Sequence, residues 1–225
     1  MDLYFILVKP AVPGNIGAAA RAIKTMGFSR LRLVKPLDYI GQEARMLAYA
    51  SEEILERAEV FSTLKEAIAD IDLTIATTAK VRHARLEYLN ADKIPEMIRA
   101  KGGSVNKTGL VFGSEESGLT NEEIRICDLV SSIPMKGTYP SLNLGQSVMI
   151  YAYVMASFER TKPEPAFQSL DQEGFRAMMD KARKVLADLD IKNNPALYNR
   201  ILERLASLGE DDVHLLHSIL NRYLK

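Results

Sequence analysis

Residues 138–158, TYPSLNLGQSVMIYAYVMASF, constrain the fold more than any other stretch of the chain. They open with Tyr139-Pro140, a turn signal, and the polar cluster Ser141-Leu142-Asn143. From Val148 to Met155 the pattern is helical and apolar on nearly every side, and the first charge is Glu159. A helix exposed along one face carries a polar stripe. This one is therefore expected to be covered on two sides, yet it is too short and too closely flanked by polar sequence to span a membrane. Asn143 is placed to cap it, but capping explains only one residue of the cluster. A polar turn at the mouth of such a helix is where a ligand site is expected.

What covers the helix is readable from the rest of the chain. Leu3–Val8, Leu31–Val34, Glu59–Phe61, Leu73–Thr77, Gly109–Phe112 and Asp128–Ile133 read as strands. Helical patterns alternate with them: Ile16–Phe28 capped by Asn15 and closed by Gly27, about Gln42–Tyr49, Thr63–Asp70, and about Asp92–Lys101. Thr63 with Glu66, and Thr120 with Glu123, have capping-box spacing, and Leu119 and Ile124 are placed as a hydrophobic staple. This alternation predicts an α/β fold: a mostly parallel sheet with helices on both faces. Beyond Phe158, a Pro-containing linker leads to three amphipathic patterns, about Gln168–Leu189, Pro195–Leu208 and Asp211–Leu224. The expected organisation is one α/β domain over residues 1–160 and a small helical domain over 161–225.

Charge excludes a globally polycationic nucleic-acid binder, because 29 Lys/Arg balance 29 Asp/Glu. Residues 1–50, however, carry seven Lys/Arg against three Asp/Glu, enough for a local phosphate-binding face. A single cysteine, Cys127, and an N-terminus without a basic leader point to a soluble cytoplasmic protein. His214 and His217 lie three apart near Asp211 and Asp212, but without further ligands they do not make a metal site. No Walker A sequence, nucleophile elbow or catalytic triad pattern is present.

Two loops are chemically suggestive. Gly14–Ala20 follows a strand and opens a helix, a setting that suits an anion, although GxxG spacing is poor for a dinucleotide fingerprint. An ordinary glycine-containing turn explains it equally well, and Arg21, pointing away from the core, is either solvated or aimed at a phosphate or a partner subunit. Gly113–Gly118 carries Glu115 and Glu116 beyond the end of a strand, where open α/β sheets bind ligands; a solvated loop is the alternative.

Together, GNIGAAARAIKTMGF, LVFGSEESGLTNEEI and SIPMKGTYPSLNLGQSVMIYAYVM resemble the three motifs of the SpoU-type branch of the SPOUT RNA methyltransferases. The closest likeness is to the TrmJ-like tRNA/rRNA 2'-O-ribose methyltransferases, in the same order over residues 1–158. The C-terminal helices resemble the small helical domain of that subgroup.

The resemblance implies a deep trefoil knot, S-adenosyl-L-methionine bound within it, no metal, and a homodimer with a shared active site. Carried over by position, the cofactor contacts are Thr77, Thr78, Ala79, Gly113, Glu115, Ile133, Met135, Pro140, Ser141, Leu142 and Asn143. Arg21 from the second subunit holds the substrate phosphate and polarises the ribose 2'-hydroxyl, while Ser141 orients it. Asn15, Arg21, Lys80, Arg82 and Arg85 form the implied RNA-binding set. The substrate class is tRNA, with an anticodon-loop pyrimidine favoured and rRNA behind it. The family's second motif usually carries a basic residue on either side of its first glutamate, whereas this chain reads GSEESG. That departure keeps a second reading open, a knotted RNA-binding paralogue with weak turnover. A dinucleotide-dependent oxidoreductase rests only on the Gly14–Ala20 turn.

Overall fold

In the computed structural model, residues 1–79, 88–137, 142–160 and 174–224 are described. Strand β1 (Asp2–Val8) leads into helix α1 (Pro13–Thr25) and strand β2 (Arg30–Val34). Two short helices, α2 (Gln42–Ala48) and α3 (Glu52–Glu56), precede β3 (Glu59–Phe61). Then come α4 (Leu64–Ala67), β4 (Leu73–Thr77), β5 (Tyr88–Asn90) and α5 (Ile94–Arg99). β6 (Lys107–Phe112), α6 (Asn121–Arg125) and β7 (Leu129–Ser132) lead to the long helix α7 (Leu144–Arg160). Helices α8 (Gly174–Asp188), α9 (Pro195–Ala206) and α10 (Glu210–Tyr223) follow.

The strands form one sheet in the order β3-β2-β1-β6-β4-β7-β5, with every pair parallel. Parallel strands need helices on both faces, and the apolar runs reflect that double burial. In β1, Leu3, Phe5 and Leu7 face the cluster under α1 and α7, while Tyr4, Ile6 and Val8 face the cluster under α4 and α6. Phe5 pairs with Leu31 on one side and Leu110 on the other, and Ile75 lies between Leu110 and Leu129. The edge of the Tyr151 ring meets Phe112 at 5.4 Å, and its hydroxyl donates to Ser131 Oγ at 3.0 Å, fastening α7 to the sheet.

The expected elements are present, with informative differences. Helix α1 begins at Pro13, which suits a first-turn position because its φ is pre-set and it has no N–H to satisfy. Asn15 therefore lies inside the first turn and is not the cap. The Thr120–Glu123 capping box is complete, and Leu119 and Ile124 are both buried. At Thr63 only half of the box forms, because Glu66 accepts from the Ser62 N–H and not from that of Thr63. Gly27 adopts φ +89° with open space where a Cβ would be, so conformation alone requires glycine there.

Helix α7 is expected to be covered by the sheet on one side and a second subunit on the other. Leu144, Val148, Tyr151, Ala152 and Met155 are buried, but Met149 and Ile150 are half-buried and Tyr153 is 66% exposed. One side packs on the sheet; among the described residues, the other side is only partly covered.

The C-terminal helices join the same core: Phe175, Met178, Met179 and Ala182 share the cluster of Phe5 and Leu110. Two polar fasteners hold them. Buried Lys101 donates its ammonium to the carbonyls of Ala206 and, at 3.0 Å, Leu208, capping the C-terminus of α9 as a cation does favourably. The Phe175 ring lies beneath the same ammonium. Asp128, with a side chain only 2% exposed, accepts from Arg176 at 3.2 Å and Arg183 at 3.3 Å, both on α8.

Candidate active site

The strand order reverses between β1 and β6, and open α/β sheets bind ligands at the carboxyl ends of strands around such a point. Thr77 Oγ1 donates to the carbonyl of Val111 at 3.0 Å, and the Thr78 N–H donates to that of Ser131 at 2.9 Å. These bonds carry the β6–β4–β7 ladder past the strand ends. Thr77–Ala79, Gly113–Glu115 and Ile133–Met135 therefore leave the sheet side by side, and all but Ala79 and the exposed Pro134 are half-buried.

Glu115 ties this edge to the loop after β1. Its Oε2 accepts from the Ala11 N–H at 2.9 Å, and its Oε1 accepts from the Val12 N–H at 3.3 Å and from Asn15 Nδ2 at 2.9 Å. Burial pushes this carboxyl's pKa up, but the donors from Ala11, Asn15 and Val12 outweigh it and hold it below the usual carboxylate range. Asn15 passes the connection on, because its Oδ1 accepts from Asn143 Nδ2 at 2.6 Å. Asn143 in turn caps α7: its Oδ1 accepts from the Gly145 N–H at 2.8 Å, and Gln146 Oε1 accepts from the Asn143 N–H at 3.2 Å. The Asn143-x-x-Gln146 spacing is a capping signal that sequence reasoning could have used in full. Lys9, held at φ +50° before Pro10, reaches Glu123 at 2.8 Å and closes the same crevice from outside.

The glycines of the first motif serve packing. A Cβ on Gly17 would lie 2.1 Å from the backbone carbonyl oxygen of Ala44, so α1 meets α2 only because residue 17 has no side chain. The amides at the start of α1 are taken by protein carboxylates: Glu115 receives those of Ala11 and Val12, and Glu43 receives that of Gly14 at 3.2 Å. An anion cradle for a dinucleotide is thus filled by side chains, which removes the support for the oxidoreductase reading. Gly113 is likewise required by backbone, since its Cβ would stand 2.1 Å from Leu119 N.

Arg21 is exposed on α1, with its guanidinium 5.4 Å from the centre of the Tyr49 ring and no ion-pair partner among the described residues. Leu142 is half-buried and Asn143 exposed at the mouth of α7. Pro140, Ser141, Lys80, Arg82 and Arg85 lie outside the described residues, so the structure relates none of them to this site. Nε2 of His217 lies 2.7 Å from Lys181 Nζ. No group of three or more metal-ligating side chains occurs among the described residues. Nor is any described helix long and apolar enough to cross a membrane.

A wholly parallel sheet with three loops gathered at one edge, matched over residues 2–153, places this chain in the SpoU rRNA methylase family of methyltransferases. Residues 172–225 match the C-terminal domain of the tRNA/rRNA methyltransferase LasT. Among individual proteins, the chain is 38% identical over 221 residues to the uncharacterized tRNA/rRNA methyltransferase LasT of Escherichia coli K12, covering 98% of this chain and 96% of that one. It is 39% identical over 156 residues to the tRNA (cytidine-2'-O-)-methyltransferase TrmJ of Methanocaldococcus jannaschii, covering 66% of this chain and 64% of the relative. A solved structure of a probable methylase family protein from Haemophilus influenzae superposes with a TM-score of 0.68 at 30% identity, covering 98% of this chain and 94% of that one.

Proposed function

We propose that this protein transfers a methyl group from S-adenosyl-L-methionine to a ribose 2'-hydroxyl of tRNA, with an anticodon-loop pyrimidine the favoured target. The archaeal relative named as a tRNA cytidine 2'-O-methyltransferase supports the reaction and substrate class. The observation that carries the reading is the chain Glu115–Asn15–Asn143, which joins all three motif segments at the carboxyl edge of the sheet.

The residues present fit the cofactor. Half-buried Ile133, Met135 and Leu142 offer apolar walls, and the loops at Thr77–Ala79 and Gly113 bring backbone groups beside them. Pro140 and Ser141 belong to the same proposed pocket. The cofactor supplies a methyl group on a sulfonium, already bonded to a good leaving group, so positioning the hydroxyl provides much of the acceleration. Arg21 holds the adjacent phosphate and polarises the 2'-hydroxyl; arginine does not deprotonate in proteins and is not the base. Ser141 orients the hydroxyl. Glu115 and Asn143 act as positioning residues, with Asn15 held between them. Lys80, Arg82 and Arg85 supply further phosphate contacts.

The apolar, half-exposed side of α7 and the exposed Met46 and Tyr49 near Arg21 suit a second copy of the chain. A homodimer would bring Arg21 of one subunit to the site of the other. The proposed knot threads residues 138–160, and the proposed domain division falls near residue 160.

The test is incubation of the protein with labelled S-adenosyl-L-methionine and bulk tRNA, followed by digestion to nucleosides. Label in 2'-O-methylated nucleosides is the expected result. RNA binding with no transferred label would instead establish the weak-turnover reading that the GSEESG loop leaves open.

A further inference from the structure

A cavity of about 520 Å3 lies where α4 and α6 meet the C-terminal helices α8 and α9. It is at the opposite end of the sheet from the site above. Asp128, in its wall, precedes β7 and hydrogen-bonds Thr74 near the start of β4. Its walls from α4 and α6 lie on the sheet face opposite α1, which carries Arg21. Its volume is in the range that holds a small ligand.

The walls are chemically divided. Four cationic side chains, Lys65, Arg125, Arg176 and Arg183, face two carboxylates, Asp128 and Glu203, leaving an excess of two positive charges (4 − 2). Asp128 is already committed, accepting from Thr74 N–H and Oγ1 and from both α8 arginines. That contact pre-orients Arg176 and Arg183 while leaving each side chain 32% exposed. Lys65 and Arg125 are exposed and make no ion pair with any described residue. Apart from Asn199 and Cys127, the rest of the wall is apolar or aromatic, including Ile126, Met179, Leu202 and Tyr198.

A simple inorganic anion would leave that apolar wall wet, and an apolar ligand would desolvate Lys65 and Arg125 with no carboxylate to offset them. A nucleotide satisfies both: its phosphate meets guanidinium and ammonium groups, and its base stacks on aromatic and aliphatic side chains. We propose that this cleft binds a phosphate-bearing nucleotide, either free or as one residue of a single-stranded RNA. The inference does not rest on the methyl-transfer reading.

The test titrates the full chain with 5'-UMP and with hexauridylate, pyrimidine probes that avoid competition for an adenine pocket. The double variant Lys65→Glu/Arg125→Glu changes two exposed side chains, and its thermal melt checks that the fold is kept. It should weaken binding about tenfold or more, the scale of losing two charge-assisted phosphate contacts. Lys184→Glu/Lys192→Glu, the same charge change outside the cleft, should leave affinity unchanged. Saturable UMP binding assigns a free-nucleotide site; binding of hexauridylate alone assigns an RNA strand. The inference is overturned if neither probe binds saturably, or if the cleft variant binds as the parent does. Loss in Arg21→Ala alone would move the nucleotide to the reaction site, removing the cleft and leaving methyl transfer standing.

Discussion

Asn143 Nδ2 donates to Asn15 Oδ1 at 2.6 Å, joining two side chains that are 128 residues apart in sequence. Through Asn15 the contact reaches Glu115, and through Glu115 it reaches two backbone amides of the loop after β1. One short polar chain thereby fixes the start of α7 relative to α1 and β6. Its members are replaceable one at a time, which makes it testable.

Glu115→Gln keeps the shape but replaces an acceptor oxygen with an NH2 group facing donors. Loss of one charge-assisted set in a half-buried site should cost about 1–2 kcal/mol. Methyl transfer should fall by more than that stability loss explains. The carboxyl is held below its unfolded value, so its stabilising contribution is present above about pH 4.3 and disappears as pH falls through the lower folded value. Urea midpoints measured from pH 6 down to pH 3 should therefore drop less steeply in the variant than in the parent.

Arg21→Ala should leave the melting temperature unchanged, because the side chain is exposed and makes no ion pair with any described residue. Methyl transfer should fall by about a hundredfold or more, in the range for removing a group that stabilises developing charge. A variant that methylates tRNA at the parental rate would remove Arg21 from the reaction.

Gly17→Ala puts a Cβ 2.1 Å from a backbone oxygen that no side-chain rotation can relieve. Helices α1 and α2 must separate, at a cost of about 1–3 kcal/mol or more. Differential scanning calorimetry should show a clear fall in Tm. An unchanged Tm would mean that the two helices do not pack this closely.

Asp128→Asn leaves Arg176 and Arg183 without their shared buried carboxylate, and breaking such a pair costs about 3–5 kcal/mol. Helix α8 should loosen first. Limited proteolysis should then cut within residues 174–224 before the sheet, whereas uniform cleavage would argue against a local fastener.

Lys101 loses its proton at a lower pH than an ordinary surface lysine. Burial brings its pKa down to about 8, with the charge of Asp128 opposing the shift. The unfolded chain then binds the extra proton between pH 8 and about 10.4, so stability should rise with pH across that window. Lys101→Met should abolish that rise in urea-denaturation midpoints. An identical rise in the variant would assign the titration to another group.

Much of the fold is legible locally. The six expected strands are present, and the Thr120–Glu123 box and the Gly27 stop are where spacing puts them. The elements missed, α3 and β5, are short, with five and three residues. The site was legible only in part. The motif segments are recognisable one by one, but Asn15 looked like a cap and not like a bridge between the other two.

By itself the sequence determined which stretches become strands and helices, where two helices are capped and which residues supply polar chemistry, because these depend on neighbours within a few positions. Only the tertiary structure decided that Asn15 turns from capping to bridge Glu115 and Asn143, that Asp128 anchors two arginines of α8, and that Lys101 caps the end of α9. Those outcomes depend on which distant groups the parallel sheet brings within hydrogen-bonding distance, and a chain read in order does not contain that distance.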